Sequence, residues 1–195
     1  MKPIIFSTPM VQAILDGRKT QTRRVIKDKD ITNWFDIDVD GKPIAYIDQE
    51  TGDSYPPTHR AKYQPGDILW VRETWQHLRI KKPHRAIPID FNFIKYIYKA
   101  DGEIANSDGT PFKWRPSIFM PRKAARIFLR VKEVSVERLI DISDSDVVNE
   151  GFQTKNDFFA LWDKLNYHRG FGVANNPFVW KIEFERAIRQ NGGQD

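Results

Sequence analysis

Thr8-Pro9-Met10-Val11-Gln12-Ala13-Ile14-Leu15-Asp16-Gly17-Arg18-Lys19-Thr20-Gln21-Thr22-Arg23-Arg24-Val25-Ile26 is the stretch on which the fold turns. Thr8 suits a helix N-cap, because its hydroxyl can accept from an orphan backbone N–H, and Pro9 follows where a missing N–H does no harm. Met10, Val11, Ile14 and Leu15 recur at helical spacing, and Gly17 can stop the helix in the left-handed conformation. Ile4-Ile5-Phe6 is strand-like, so the first 26 residues read strand, helix, strand. Behind the glycine lies the densest basic cluster of the chain, Arg18, Lys19, Arg23 and Arg24, interleaved with Thr20 and Thr22.

Outward from there, Pro65-Gly66-Asp67 is a turn signal leading into Ile68–Trp75, a strand with Leu69, Val71, Glu73 and Trp75 on one face. Glu73 therefore ends the buried stretch or points into a partly buried site. A long strand follows over 126–136, where Ile127, Leu129 and Val131 alternate with Phe128, Arg130 and Lys132. Ser143 can cap a short helix running to Glu150 and closed by Gly151. Thr154 caps a second, with Phe158, Leu161, Trp162 and Leu165 as its apolar stripe. Phe178, Trp180, Ile182 and Phe184 alternate as a half-buried final strand. Strands outnumber helices, the helices are short, and no βαβ rhythm is present. The pattern predicts a mainly-β α+β chain: a small β-barrel or strongly curved sheet with short helices packed at its ends. The acidic, Gly- and Pro-broken segment 28–59 reads as an inserted hairpin or excursion, so we expect one domain over 1–190 and a flexible tail at 191–195.

Composition narrows the function classes. The 195 residues carry a net charge of +5, and 40% are hydrophobic, with 13 Phe, 6 Trp and 6 Tyr, enough for an aromatic-rich core. No apolar run approaches the roughly 20 residues of a membrane helix, and no secretory signal is evident; the expectation is a cytoplasmic protein with no membrane partner. Absence of cysteine excludes disulfides, thiolate nucleophiles and Cys-based zinc sites. His59, His77, His84 and His168 are scattered without metal-ligand spacing, so no metal and no cofactor is expected. There is no Walker loop, nucleophile elbow or dinucleotide fingerprint.

Two features resist a purely structural explanation. Cations after a helix C-terminus complement its dipole, which accounts for part of the basic cluster. Yet bases alternating with hydroxyls are also what a phosphate or nucleoside site needs, since Lys and Arg supply charge and Thr a neutral donor or nucleophile. Strict strand alternation would put Lys19 and Thr22 on opposite faces; they converge only if Lys19 lies in the turn before the strand. Glu150 is the second feature: a carboxylate in the last turn of a helix opposes the dipole, and is locally worse than a neutral or basic residue. Among the aromatics, Trp162, Trp180, Phe158 and Phe184 fall on core faces, while Trp70, Trp75, Trp114 and Tyr63 lie near turns and basic residues, as base-stacking side chains do.

Gly17-Arg18-Lys19-Thr20-x-Thr22-x-Arg24 after a short helix resembles the signature of the ASCH domain, a PUA-like β-barrel family. Pro65-Gly66-Asp67, the 126–136 strand, Glu150-Gly151 and Asn176-Pro177-Phe178-Val179-Trp180 follow in the family's order, and 28–62 and 79–118 look like insertions. Trp70–Trp75 and Met120-Pro121-Arg122 make the chain most like the longer bacterial and phage versions. The resemblance implies an RNA-related role and, by likeness to a small bacterial amidohydrolase, removal of the acetyl group from acetylcytidine. Its catalytic residues would fall on Lys19, Thr22 and Glu150, with Thr22 as nucleophile, Lys19 as base and Glu150 in support. Arg18, Thr20, Arg23, Arg24, Glu73 and Trp75 would contact the substrate, a modified nucleoside or RNA. The alternatives are a non-catalytic RNA or modified-base binding module, and a ribonuclease.

Overall fold

The computed structural model describes residues 1–27, 35–38, 41–80, 93–102, 109–110 and 112–187. In chain order its first elements are β1 (Lys2–Ile5), α1 (Thr8–Leu15), β2 (Gln21–Val25), β3 (Phe35–Ile37), β4 (Pro43–Ile47) and β5 (Ser54–Tyr55). There follow β6 (Ile68–Arg72), β7 (Trp75–Ile80), β8 (Phe93–Tyr98), β9 (Phe128–Arg138), α2 (Asp144–Asn149), α3 (Lys155–Asn166) and β10 (Phe178–Ala187). The architecture is mainly-β α+β, as the alternation predicts. Its principal sheet has the order β1-β6-β9-β10-β2, and the described residues do not close it into a barrel. Of two small antiparallel sheets, β3-β4-β5 falls within 28–62, while β7-β8 has its first strand mostly before 79 and its second within 79–118.

Local signals explain most boundaries. Ser7 takes the cap position of α1 with an extended backbone, so the helix opens one residue earlier than expected, with Thr8 inside its first turn. That turn tolerates Pro9 because its N–H groups lack intrahelical partners in any case. Gly17, at φ +76°, ends the helix as predicted. Ser143 and Thr154 both cap, their hydroxyls accepting from the backbone N–H of Asp146 and Asp157. The expected continuous strand 68–75 is divided between β6 and β7. At the break, the Glu73 N–H turns to Met120 Sδ and so leaves the β6 ladder, while the Thr74 carbonyl accepts from the Lys99 N–H in the β7–β8 register.

The largest core cluster packs α1 (Val11, Ile14) on the sheet through Ile4, Phe6, Leu69, Val71, Leu129, Val131, Ile182 and Phe184. A second joins α2 and α3 to Val179 through Leu139, Ile142, Val147, Phe158 and Trp162. No described helix is long and apolar enough to cross a membrane. The tail at 191–195 lies outside the described residues.

Candidate functional site

Register places the signature segment. β2 pairs antiparallel with β10, setting Thr22 opposite Ile182, Arg23 opposite Lys181 and Arg24 opposite Trp180. Because strand side chains alternate, Thr22 and Arg24 share one face, and Gln21 and Arg23 the other. Lys19 sits in the turn before β2, the placement that frees it from this alternation. Its backbone N–H, like that of Arg18, donates to the carbonyl of Ala13 at the end of α1.

Lys19 is wholly buried, and its Nζ donates to Glu150 Oε2 at 2.5 Å and to the Glu150 carbonyl at 2.8 Å. Glu150 reaches it because α2 ends there: Glu150 is the residue after the helix, Gly151 turns the chain at φ +90°, and Thr20 N–H bonds the Asn149 carbonyl. Burial pushes the Lys19 amine below its usual range, with Arg24 and Arg23 adding to the shift and Glu150 opposing it. The carboxylate that looked misplaced against the helix dipole is thus held by cations from another part of the chain.

Arg23 is the second holder. Its side chain is fully buried, with Nε 2.6 Å from Glu137, Nη2 2.8 Å from Asp146 and Nη1 3.3 Å from Glu150. Asp146 also bonds Gln21 Nε2 and stands 3.2 Å from Lys181, so it separates the like charges of Arg23 and Lys181 that the register sets opposite each other. Burial acts to raise Asp146, but Gln21, Lys181 and Arg23 together hold it below the usual range. Burial does lift Glu137, against Arg23. Sequence reasoning passed over Asp146 and Glu137. Asp146 carries one readable signal, lying one helical turn before Glu150; Glu137 is brought to Arg23 only by the sheet.

A cavity of about 810 Å³ opens on the Thr22–Arg24 face, within the size range of small-molecule sites. Thr22, Arg24, Glu150, Tyr63, Phe152, Phe158, Trp162 and Trp180 contribute to its wall. The Thr22 hydroxyl makes no hydrogen bond among the described residues. Lys19 does not line this cavity; it lies behind Glu150, with Nζ 5.6 Å from the Phe6 ring centre.

The other expected contacts distribute differently. Arg18 is exposed and paired with Asp16 at 2.9 Å, because the turn after Gly17 directs it outward. Thr20 is exposed and lines a second, smaller cavity with Lys19, Gln21 and Asn149. Glu73 does not reach the large cavity. Its carboxylate is 1% exposed and clasped by Arg126, at 2.9 Å from Nε and 3.0 Å from Nη2. Arg126 in turn holds Asp101, which makes the cluster a brace for the β7–β8 hairpin. Trp75 is buried with Met120, Ala124, Ala125 and Phe128, where no base can stack on it. Tyr63 does face the cavity, its hydroxyl fixed to the Pro3 carbonyl at 2.7 Å. Trp162 and Trp180, expected as core, are both core and cavity wall. Among the described residues no group of three or more His, Asp or Glu is placed to hold a metal ion.

No protein-family model and no curated protein matches the sequence. Among solved structures, a protein of Enterococcus faecalis V583 described as DUF984 is similar with a TM-score of 0.44 and 10% identity, over 100% of this chain and 86% of that one. An ASCH domain from Lactobacillus crispatus JV V101 is similar with a TM-score of 0.40 and 10% identity, over 91% of this chain and 69% of that one.

Proposed function

We propose that this ASCH-like chain hydrolyses the amide of an acylated nucleoside or base such as acetylcytidine. The observation that carries the reading is the placement of Glu150: it shares the cavity wall with Thr22 and is bonded from behind by the buried Lys19. A carboxylate and an amine 2.5 Å apart in a water-poor setting share one proton readily. With that shared proton away from its nitrogen, the form that burial favours, Lys19 is a neutral amine.

In this state Thr22 Oγ attacks the acetyl carbonyl carbon and its proton passes to Lys19 by way of Glu150, which shares the wall with Thr22 and is bonded to Lys19. The tetrahedral oxyanion forms at Thr22, in a wall whose excess of basic residues favours it. When the C–N bond breaks, Glu150 protonates the leaving amine, which releases cytidine and leaves acetyl-Thr22. Water then attacks this ester, giving its proton to the Glu150 carboxylate, while Lys19 returns a proton to Thr22 Oγ by the same route. Acetate leaves and both side chains regain their starting protonation.

Incubation with acetylcytidine is expected to release equal amounts of cytidine and acetate. Thr22→Val, Lys19→Met and Glu150→Gln should each lower the rate on the order of 100-fold or more. Unchanged turnover in all three variants, or no release by the unaltered protein, would overturn the reading.

A further inference from the structure

The cavity is far more basic than hydrolysis of an uncharged amide requires. Seven basic residues and one acidic residue line it. The acid, Glu150, is already committed to Lys19 and Arg23. Arg23 is saturated by three carboxylates, and Arg60 stands 3.4 Å from Asp48. Arg24, Arg72 and Lys62 are different. All three line the cavity, and among the described residues none has a carboxylate within 4 Å.

Hydrogen bonds and strand pairing connect all three residues to β1. Arg24 Nη2 donates to the Ile5 carbonyl at 3.0 Å, and Ile5 is the register partner of Arg72 in the parallel β1–β6 pair. The Phe6 N–H bonds the Arg72 carbonyl, continuing that pairing. Lys62 belongs to the loop that Tyr63 ties to β1 through Pro3. Each guanidinium is half-buried and already oriented. Arg24 bonds two backbone carbonyls and lies 5.2 Å from the Phe6 ring centre; Arg72 Nε donates to the Ser117 carbonyl and its head lies 5.5 Å from the Trp70 ring centre. A guanidinium has five N–H donors, so both retain free ones in a fixed fork. Charge with no carboxylate in direct contact, held at a cavity wall, is a receptor for an anion with several oxygens.

We propose that the ligand of this cavity carries a phosphate group, gripped by Arg24 and Arg72 with Lys62 as a third charge. The substrate is then a nucleotide, free or as a unit of an RNA strand, rather than an unphosphorylated nucleoside. This deepens the hydrolase reading and rests on it for the identity of the acylated base. The division of the wall fits such a ligand: Thr22 and Glu150 face the amide, the aromatic side chains face the base, and the β1 end takes the phosphate.

Calorimetric titration with cytidine, cytidine 5′-monophosphate and a short single-stranded oligoribonucleotide tests the proposal on the whole chain. The monophosphate should bind about tenfold or more tightly than cytidine, as charge-assisted paired bonds to phosphate would give. That preference should shrink with added salt and largely vanish in Arg24→Gln and in Arg72→Gln. Tighter binding of the oligoribonucleotide than of the monophosphate assigns the phosphate to an RNA strand; equal binding assigns it to a free nucleotide. Equal affinity for cytidine and its monophosphate, or no binding of either, overturns the proposal, and the unaltered protein alone decides this. A phosphate preference retained in both variants removes Arg24 and Arg72 from the grip and overturns it as stated. Release of acetate from acetylcytidine is read separately. Hydrolysis without a phosphate preference sinks this inference alone, and a phosphate preference without hydrolysis sinks the hydrolase reading alone.

Discussion

Lys19 and Glu150 are 131 residues apart in the chain, yet the amine of one lies 2.5 Å from the carboxylate of the other, with side chains 0% and 2% exposed. Removing one partner strands the other where water cannot solvate it. Lys19→Met and Glu150→Gln are each expected to lower unfolding free energy by about 3–5 kcal/mol, and the combined variant by less than the sum. Urea denaturation of the three proteins checks this; strictly additive losses would mean the pair is not coupled.

The direction of the Lys19 shift sets a pH dependence. A base works in its neutral form, and burial moves the amine below its ordinary 10.5. Turnover should therefore fall as pH is lowered through the shifted value, with the inflection lying below 10.5 and absent from the residual activity of Lys19→Met. The same shift makes the Lys19 contribution to stability largest at high pH and progressively lost as pH falls, because the unfolded chain then binds the extra proton. A kcat/KM profile with its limb at or above 10.5 would refute the assignment.

Gly151 tests how tightly the turn behind Glu150 is built. A Cβ there would lie 3.0 Å from Ala13 Cβ and 3.4 Å from Lys19 Cβ, at a backbone φ of +90°. Gly151→Ala should cost roughly 1–3 kcal/mol and also reduce turnover by displacing Lys19. Gly17→Ala meets no atom within 4 Å; its loss of roughly 1–2 kcal/mol should come from the backbone alone and leave the rate per folded molecule unchanged. Thermal melts alongside initial rates separate the two.

The Glu73–Arg126 pair gives the complementary case. Arg126→Met leaves a carboxylate that is 1% exposed without its clasp, at an expected cost of about 3–5 kcal/mol near neutral pH. Burial already raises the Glu73 carboxyl above the usual range, so in this variant it protonates still more readily, and the penalty should shrink toward acid pH. Acetylcytidine turnover per folded molecule should stay at the parental level, since the cluster braces β7–β8 away from the cavity. A rate loss exceeding the loss of folded protein would return Glu73 to the substrate.

Much of the frame was legible because it is governed by short-range rules. Ser143, Thr154, Gly17 and Gly151 punctuate helices through their own backbone chemistry, and the alternation over 178–184 reports one buried face. The same rules marked Glu150 as ill-suited to its local position. What they could not supply is which distant residue relieves the misfit. Glu137 meets Arg23 only through the β2–β10–β9 register, and Glu73 meets Arg126 only across the β7 junction. The face shared by Leu69, Val71, Glu73 and Trp75 was readable, but its occupants turned out to be core and brace. Likewise, alternation places Trp180 on a face without saying where that face opens into a cavity.

The topology also bears on how the protein is made. In the principal sheet, β2 has a single neighbour, β10, so the strand carrying Thr22 and Arg24 pairs with the last described strand. During synthesis the signature segment emerges well before β10 and waits while more than 150 residues follow before its ladder can close. Such a high contact order predicts slow folding with a late-forming sheet edge. A growing or C-terminally cut chain would hold every residue of the Gly17–Arg24 signature and still have no pocket.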